Sequence, residues 1–68
     1  MSRITGTVIA IGTYNSQQFT IECDNGQKYN CKVHNLDKWD RLYDYMDERP
    51  ITVWMMDVLE DGTLVVLL

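Results

Sequence analysis

The run Phe19-Thr20-Ile21-Glu22-Cys23-Asp24-Asn25-Gly26-Gln27-Lys28-Tyr29-Asn30-Cys31-Lys32-Val33 decides how this chain folds. Apolar and polar residues alternate on both sides of Asp24-Asn25-Gly26, the pattern of half-buried strands joined by a hairpin turn. A two-residue Asn25-Gly26 loop pairs Cys23 with Lys28, Ile21 with Asn30 and Phe19 with Lys32, which sets an apolar face against a polar one. A three-residue loop with Gly26 in the left-handed conformation pairs Ile21 with Tyr29, Phe19 with Cys31 and Glu22 with Lys28. Phe19, Ile21, Cys23, Tyr29, Cys31 and Val33 then share one face. A slip of one residue turns every side chain to the other side of the sheet, so the bulged, longer loop is the expected one.

Upstream, Ile4 to Ile11 is rich in β-branched residues and carries no charge, which predicts a strand; Gly12 to Gln18 is a polar loop. Downstream, Leu36, Trp39, Leu42 or Tyr43, and Met46 recur at helical spacing. They predict a helix from Asn35 to Arg49, capped by Asn35 or Asp37 and stopped by Pro50. Ile51 to Leu59 and Thr63 to Leu68 form a second hairpin around Glu60-Asp61-Gly62. A three-residue loop there pairs Val58 with Leu64, Met56 with Val66 and Trp54 with Leu68. The resulting order is β1-β2-β3-α-β4-β5. A helix between the third and fourth strands marks an OB-like barrel, an all-β fold of five strands with one helix. A β-grasp fold would place its helix after two strands.

At 68 residues the chain is expected to form a single OB-like domain, residues 1–68. Six Lys+Arg against 10 Asp+Glu leave a net charge of −4, and 46% hydrophobic with 24% charged residues is a globular composition. No run of about eighteen apolar residues predicts a membrane helix, and Met1 to Gly6 lacks the apolar core of a signal peptide.

Gly6-Thr7-Val8, Phe19-Thr20-Ile21-Glu22 and Asp24-Asn25-Gly26 together make residues 6–33 resemble a small S1-type OB domain, the group that includes bacterial translation initiation factor one. That resemblance implies binding to single-stranded RNA or to the ribosome. The chain departs from the group in its acidic balance.

Little in the sequence points to catalysis. Cys23 and Cys31 lie four strand residues apart in the expected register, about 13 Å, beyond the roughly 7 Å a disulfide spans. Two reduced, mostly buried thiols are expected, and with them a reducing, cytoplasmic setting. The C-x7-C spacing and a lone histidine, His34, do not make a zinc site. His34 stands at a strand-to-helix junction with no nucleophile placed beside it by a recognisable motif. No enzyme activity, cofactor or metal is expected.

Two binding readings remain. The outward strip of the second and third strands carries Thr20, Glu22, Lys28, Asn30 and Lys32 and no aromatic residue. Single-stranded nucleic acid would rely on Lys28 and Lys32 for phosphates and on Tyr14, in the first loop, for stacking; a net charge of −4 opposes it. The C-terminal hairpin, by contrast, is apolar on both faces. One face holds Trp54, Met56, Val58, Leu64, Val66 and Leu68; the other holds Ile51, Val53, Met55, Leu59, Val65 and Leu67, interrupted by Asp57 and Thr63. A barrel has one interior side along each strand. Ile51, Val53, Met55, Val65 and Leu67 are therefore the expected apolar contact for a protein partner or a second copy. Asp40, Asp44, Asp47 and Glu48 would favour a basic partner surface. The leading expectation is a small acidic binding module, an adaptor or inhibitor, with the last strand offering an edge for strand addition.

Overall fold

The computed structural model describes residues 2–46 and 50–68. In chain order they form β1 (Ser2–Ile11), β2 (Gln18–Glu22), β3 (Lys28–Val33), a 3-10 turn (Leu36–Lys38), α1 (Arg41–Tyr45), β4 (Ile51–Val58) and β5 (Leu64–Leu67). The strands close into a barrel in the order β1-β2-β3-β5-β4. All neighbours are antiparallel except β3 and β5. This is the five-stranded OB-like barrel that the element order predicts.

Closure depends on β1 serving two neighbours. Ser2–Gly6 pairs with β4, and Thr7–Ile11 pairs with β2. Gly6 sits where the partner changes, and a Cβ there would lie 2.5 Å from the Glu22 carbonyl oxygen, so a side chain is excluded by backbone. The β2–β3 hairpin has the expected register: Phe19 faces Cys31, Ile21 faces Tyr29 and Glu22 faces Lys28. Gly26 adopts φ +84°, as the bulged loop requires. Its inner side chains Phe19, Ile21, Cys31 and Val33 meet Val8, Val53, Leu64 and Val66 in one core.

Between β3 and β4 the chain differs from expectation. Of the helix expected over residues 35–49, the described part is two short pieces, with Met46 extended at φ −62°, ψ 124°; residues 47–49 lie outside the described residues. The buried anchors explain the break. Trp39 and Leu42 are buried and Leu36 packs against them, at intervals of three residues. Side chains three apart align in a 3-10 turn and drift apart in an α-helix. Bringing all three over one end of the barrel therefore favours tight turns over a continuous α-helix. Asn35 takes the N-cap position of the 3-10 turn, but its side chain makes no capping hydrogen bond; its Oδ1 instead accepts the Leu68 N–H at 3.2 Å.

The second hairpin departs in register. Val58 faces Leu64 and Gly62 takes φ +91°, both as expected. Farther along, Asp57 faces Val65 but Met55 faces Val66 and Trp54 faces Leu67, because Met56 forms a bulge. The bulge reverses β4 relative to β5. Val53 is buried in the core, and Ile51 and Met55 pack against it. Trp54, Met56 and Val58 are exposed. The expected outward set on β4 is thus corrected: Ile51, Val53 and Met55 point to the interior. The expected edge on β5 is corrected too, since β3 flanks it on one side and β4 on the other. Among the described residues, no helix is long and apolar enough to cross a membrane.

Candidate interaction face

Around the bulge at Met56, large apolar side chains are exposed. Trp54 is 43% exposed, Met56 43%, Val58 51% and Leu59 39%. Half-buried Leu67 lies directly across from Trp54, and half-buried Val65 lies across from Asp57. Beyond the bulge Asp57 shares the outer side with Val65, while Val58, across from buried Leu64, belongs to the inner side, so the apolar row of the outer face is Trp54, Met56, Val65 and Leu67; such a grouping, unlike scattered exposed residues, marks a contact surface. The helical pieces do not cover it. They join the end of the barrel where β4 begins, while the row runs toward the end where β4 turns into β5.

Charges frame the row on two sides. The Arg3 guanidinium stands 5.4 Å from the Trp54 ring centroid, a cation–π contact made possible by the pairing of Arg3 with Trp54 across β1 and β4. Toward the hairpin tip, Asp57 Oδ1 accepts the Val58 N–H at 2.8 Å. Among the described residues, the pairing of β1 with β4 runs from Gly6 with Ile51 to Ser2 with Met55. Leu59 donates to Thr63 across the turn, and the Val58 N–H donates to the Asp57 carboxylate. A bulge and a charged side chain are devices that discourage strand addition. The end of β4 is thus suited to side-chain docking more than to main-chain pairing.

The rival face is polar. Barrels of this type hold oligonucleotides on strands two and three and on the loops joining β1 to β2 and β4 to β5. Here Lys28 is exposed and Lys32 half-buried on that strip, with Thr20 hydrogen-bonded to Asn30 between them. A cleft of about 350 Å³ lies beside it, lined by Phe19, Thr20, Asn30, Asp61 and Thr63 among others. Its one ionisable side chain is Asp61, whose carboxyl is held below its usual range by hydrogen bonding to Thr63. Tyr14 is 56% exposed but turns its ring edge-on to buried Trp39, centroids 6.0 Å apart. The loop is tied there by Gln17, which has φ 61°, accepts the Val33 N–H and donates its side-chain amide to the Val33 carbonyl. Tyr14, Lys28 and Lys32 are all accessible. Tyr14 nevertheless packs toward the helical segment, away from the Lys28 end of the hairpin.

The remaining candidates are dispersed. Asp40 and Asp44 are exposed on the helical segment, and Asp47 and Glu48 lie outside the described residues. A second groove, about 370 Å³, is lined by Lys38, Arg41, Tyr45, Pro50, Ile51, Thr52 and Leu68. His34 is exposed, its backbone N–H donating to Val66. Cys23 is half-buried and Cys31 buried, both free thiols. Burial, reinforced by the neighbouring Cys23, pushes the Cys31 thiol up to about 12, which leaves it protonated and unreactive at neutral pH. Among the described residues, no group of three or more His, Cys, Asp and Glu side chains could hold a metal ion.

No protein-family model, curated protein or solved structure matches the chain.

Trp54, Met56 and Arg3 were not expected at the surface site. A signal for them is present in β4 itself. Thr52, between Ile51 and Val53, says that even-numbered residues face outward at the start of the strand. Asp57 says that odd-numbered residues face outward at its end. The two agree only if one residue between them is bulged.

Proposed function

We propose that this barrel is a non-catalytic protein-binding module that docks through the outer face of β4 and β5. The supporting observation is the exposure of Trp54 and of Met56 at the bulge, with half-buried Leu67 and Val65 beside them on the neighbouring strand. Its composition suits the role. Trp and Arg are the residue types most often found at energetic centres of protein interfaces, and Arg3 is stacked on Trp54. Met56 adds an adaptable apolar surface. The residues first expected to make this contact reduce to Val65 and Leu67, with the β4 contribution shifted by one residue.

Single-stranded nucleic acid, held by Lys28, Lys32 and Tyr14, is the competing reading. The test is an affinity capture from cell extract run beside an oligonucleotide titration. Wild-type protein should retain a defined protein that Trp54→Asp loses and the Lys28→Glu/Lys32→Glu variant keeps. A labelled uridine-rich oligonucleotide should bind neither strongly nor with a steep salt dependence. Tight, salt-sensitive oligonucleotide binding abolished by the lysine variant would overturn the proposal.

A further inference from the structure

We infer that the cleft beside the β2–β3 strip is a binding site for a cationic side chain, an arginine carried on a segment of a partner protein, with Asp61 as its counter-ion. The site makes no use of Trp54 or Met56 and stands apart from the protein-binding face above.

The floor of the cleft is fixed by strand register. Ala10 pairs with Thr20, and Thr20 with Asn30. Cys31 pairs with Leu64, a register that sets Asn30 beside Thr63 one residue earlier on each side. Phe19, Cys31 and Leu64, the adjoining residues, are buried in the core, so by strand alternation Ala10, Thr20 and Asn30 face outward. No large side chain stands in that row, and a hollow of about 350 Å³ lies over it. Gly12 and Gln18 border the hollow on the β1–β2 side, and Asp61 borders it from the turn between β4 and β5.

The lining carries the acceptors and the donor that an arginine residue requires. Asp61 is the one ionisable side chain in the described lining. Its Oδ1 accepts the Thr63 N–H at 2.9 Å, which fixes the carboxylate at the cleft wall. A carboxylate has about four acceptor sites, so that bond leaves capacity for a guanidinium. Thr20 Oγ1 donates to Asn30 Oδ1 at 3.3 Å, which leaves the threonine lone pairs to accept and the asparagine amide to donate. A guanidinium presents its donors as a planar fork and gains most from several acceptors; Asp61 and Thr20 supply them. A peptide carbonyl takes a donor, and Asn30 supplies one. An arginine in a peptide chain brings both groups together, whereas a free amine leaves the asparagine donor unused. Ala10 and half-buried Ile11 offer apolar surface for the methylene stem.

Charge points the same way. The chain carries −4 overall, which draws cations toward it. A phosphate in the cleft would meet the Asp61 carboxylate. Lys32, which would attract one, stands on the next rung between Gln18 and Val65 and is not part of the lining.

The test is a titration of the intact chain with N-acetyl-arginine-N-methylamide, followed by amide chemical shifts in nuclear magnetic resonance. The amides of Gly12, Thr20, Asn30 and Thr63 should move together to saturation, with a Kd below about 10 mM. Asp61→Asn, which keeps an oxygen for the Thr63 N–H, should weaken binding by about tenfold or more. Asp57→Asn removes the same charge elsewhere and should leave the Kd within about twofold. Trp54→Asp should also leave it within about twofold, so this site and the β4–β5 face are judged separately. Agmatine, a guanidinium without the peptide carbonyl, should bind about threefold or more weakly. The absence of saturable shifts below about 10 mM overturns the inference. Equal losses in Asp61→Asn and Asp57→Asn overturn it too, since they would show diffuse attraction to an acidic surface. Agmatine binding as tightly as the arginine derivative would replace the protein segment with a free cation. Shifts of the same amides with uridine monophosphate, lost in Lys32→Gln, would give the cleft to nucleic acid instead.

Discussion

The two hairpins of this barrel are built on the same turn and put to different uses. Each closes on a three-residue loop ending in a left-handed glycine, Gly26 in one and Gly62 in the other. Each contributes its inner side chains to the same core. Outside, the β2–β3 hairpin carries Thr20, Glu22, Lys28, Asn30 and Lys32, with Thr20 bonded to Asn30 and Glu22 opposite Lys28. The β4–β5 hairpin carries Trp54, Met56, Val65 and Leu67. The first is a regular ladder with a solvated back. The second is interrupted at Met56 and shows apolar residues to solvent. A turn sets local register near the loop, but the interior of the barrel decides which side of a strand is buried farther along.

The sharpest way to break this comparison is to place a carboxylate on either side of β4. Val53→Asp buries an unpaired charge in the core and should cost about 4 kcal/mol or more, enough to prevent cooperative folding of so small a chain. Trp54→Asp, one residue away and facing out, should change stability by no more than about 1 kcal/mol. Urea unfolding followed by circular dichroism separates them. Equal losses would mean that the two faces of β4 are not distinct.

The next largest effect belongs to the first hairpin, which alone has a titratable inner group. The Cys31 thiol is raised from 9.0 to about 12 in the folded chain. Between those values the unfolded chain releases its proton while the folded chain keeps it, so the folded state binds more protons and stability falls as pH rises. The contribution is intact below about pH 9. By about pH 11 the loss should reach roughly 2–3 kcal/mol. Cys31→Val should remove this alkaline decline while leaving the behaviour of other groups in place. Parallel urea midpoints from pH 8 to about pH 11 for the two proteins measure the difference. Identical pH profiles would show that the thiol is not buried as described.

The smallest effect tests what the hairpins share. Gly26→Ala and Gly62→Ala each force a side chain into φ near +84° and +91° with open space around it. Each should cost about 1 kcal/mol, from backbone strain alone. Matching losses in thermal unfolding would place the difference between the hairpins in their strands. A much larger loss at Gly62 would tie the bulge at Met56 to the geometry of the turn.

Much of the architecture was legible in particular residues. Asp24-Asn25-Gly26 with its flanking alternation specified the register of β2 and β3, because only one loop length puts Phe19, Ile21, Cys31 and Val33 together. Trp39 and Leu42, with half-buried Leu36, were legible as anchors, though not as anchors of 3-10 geometry: spacing of three residues fits either helix until the shape of the barrel end is known. The interaction face was half legible. Val65 and Leu67 lie on the outward side of β5 as expected, while Ile51, Val53 and Met55 belong inside.

By itself the sequence determined the element order, the two glycine turns and the surplus of apolar residues in the last hairpin, since these follow from local periodicity and backbone preference. Which half of that surplus is buried was decided only by the tertiary structure. Val53 is held inside by its pairing with Ile4 of β1, and Leu64 and Val66 by β3. Both constraints can be met at once only if β4 gains a residue at Met56. Local alternation cannot register such a conflict, because it arises between strands far apart in the chain and appears only when the barrel closes.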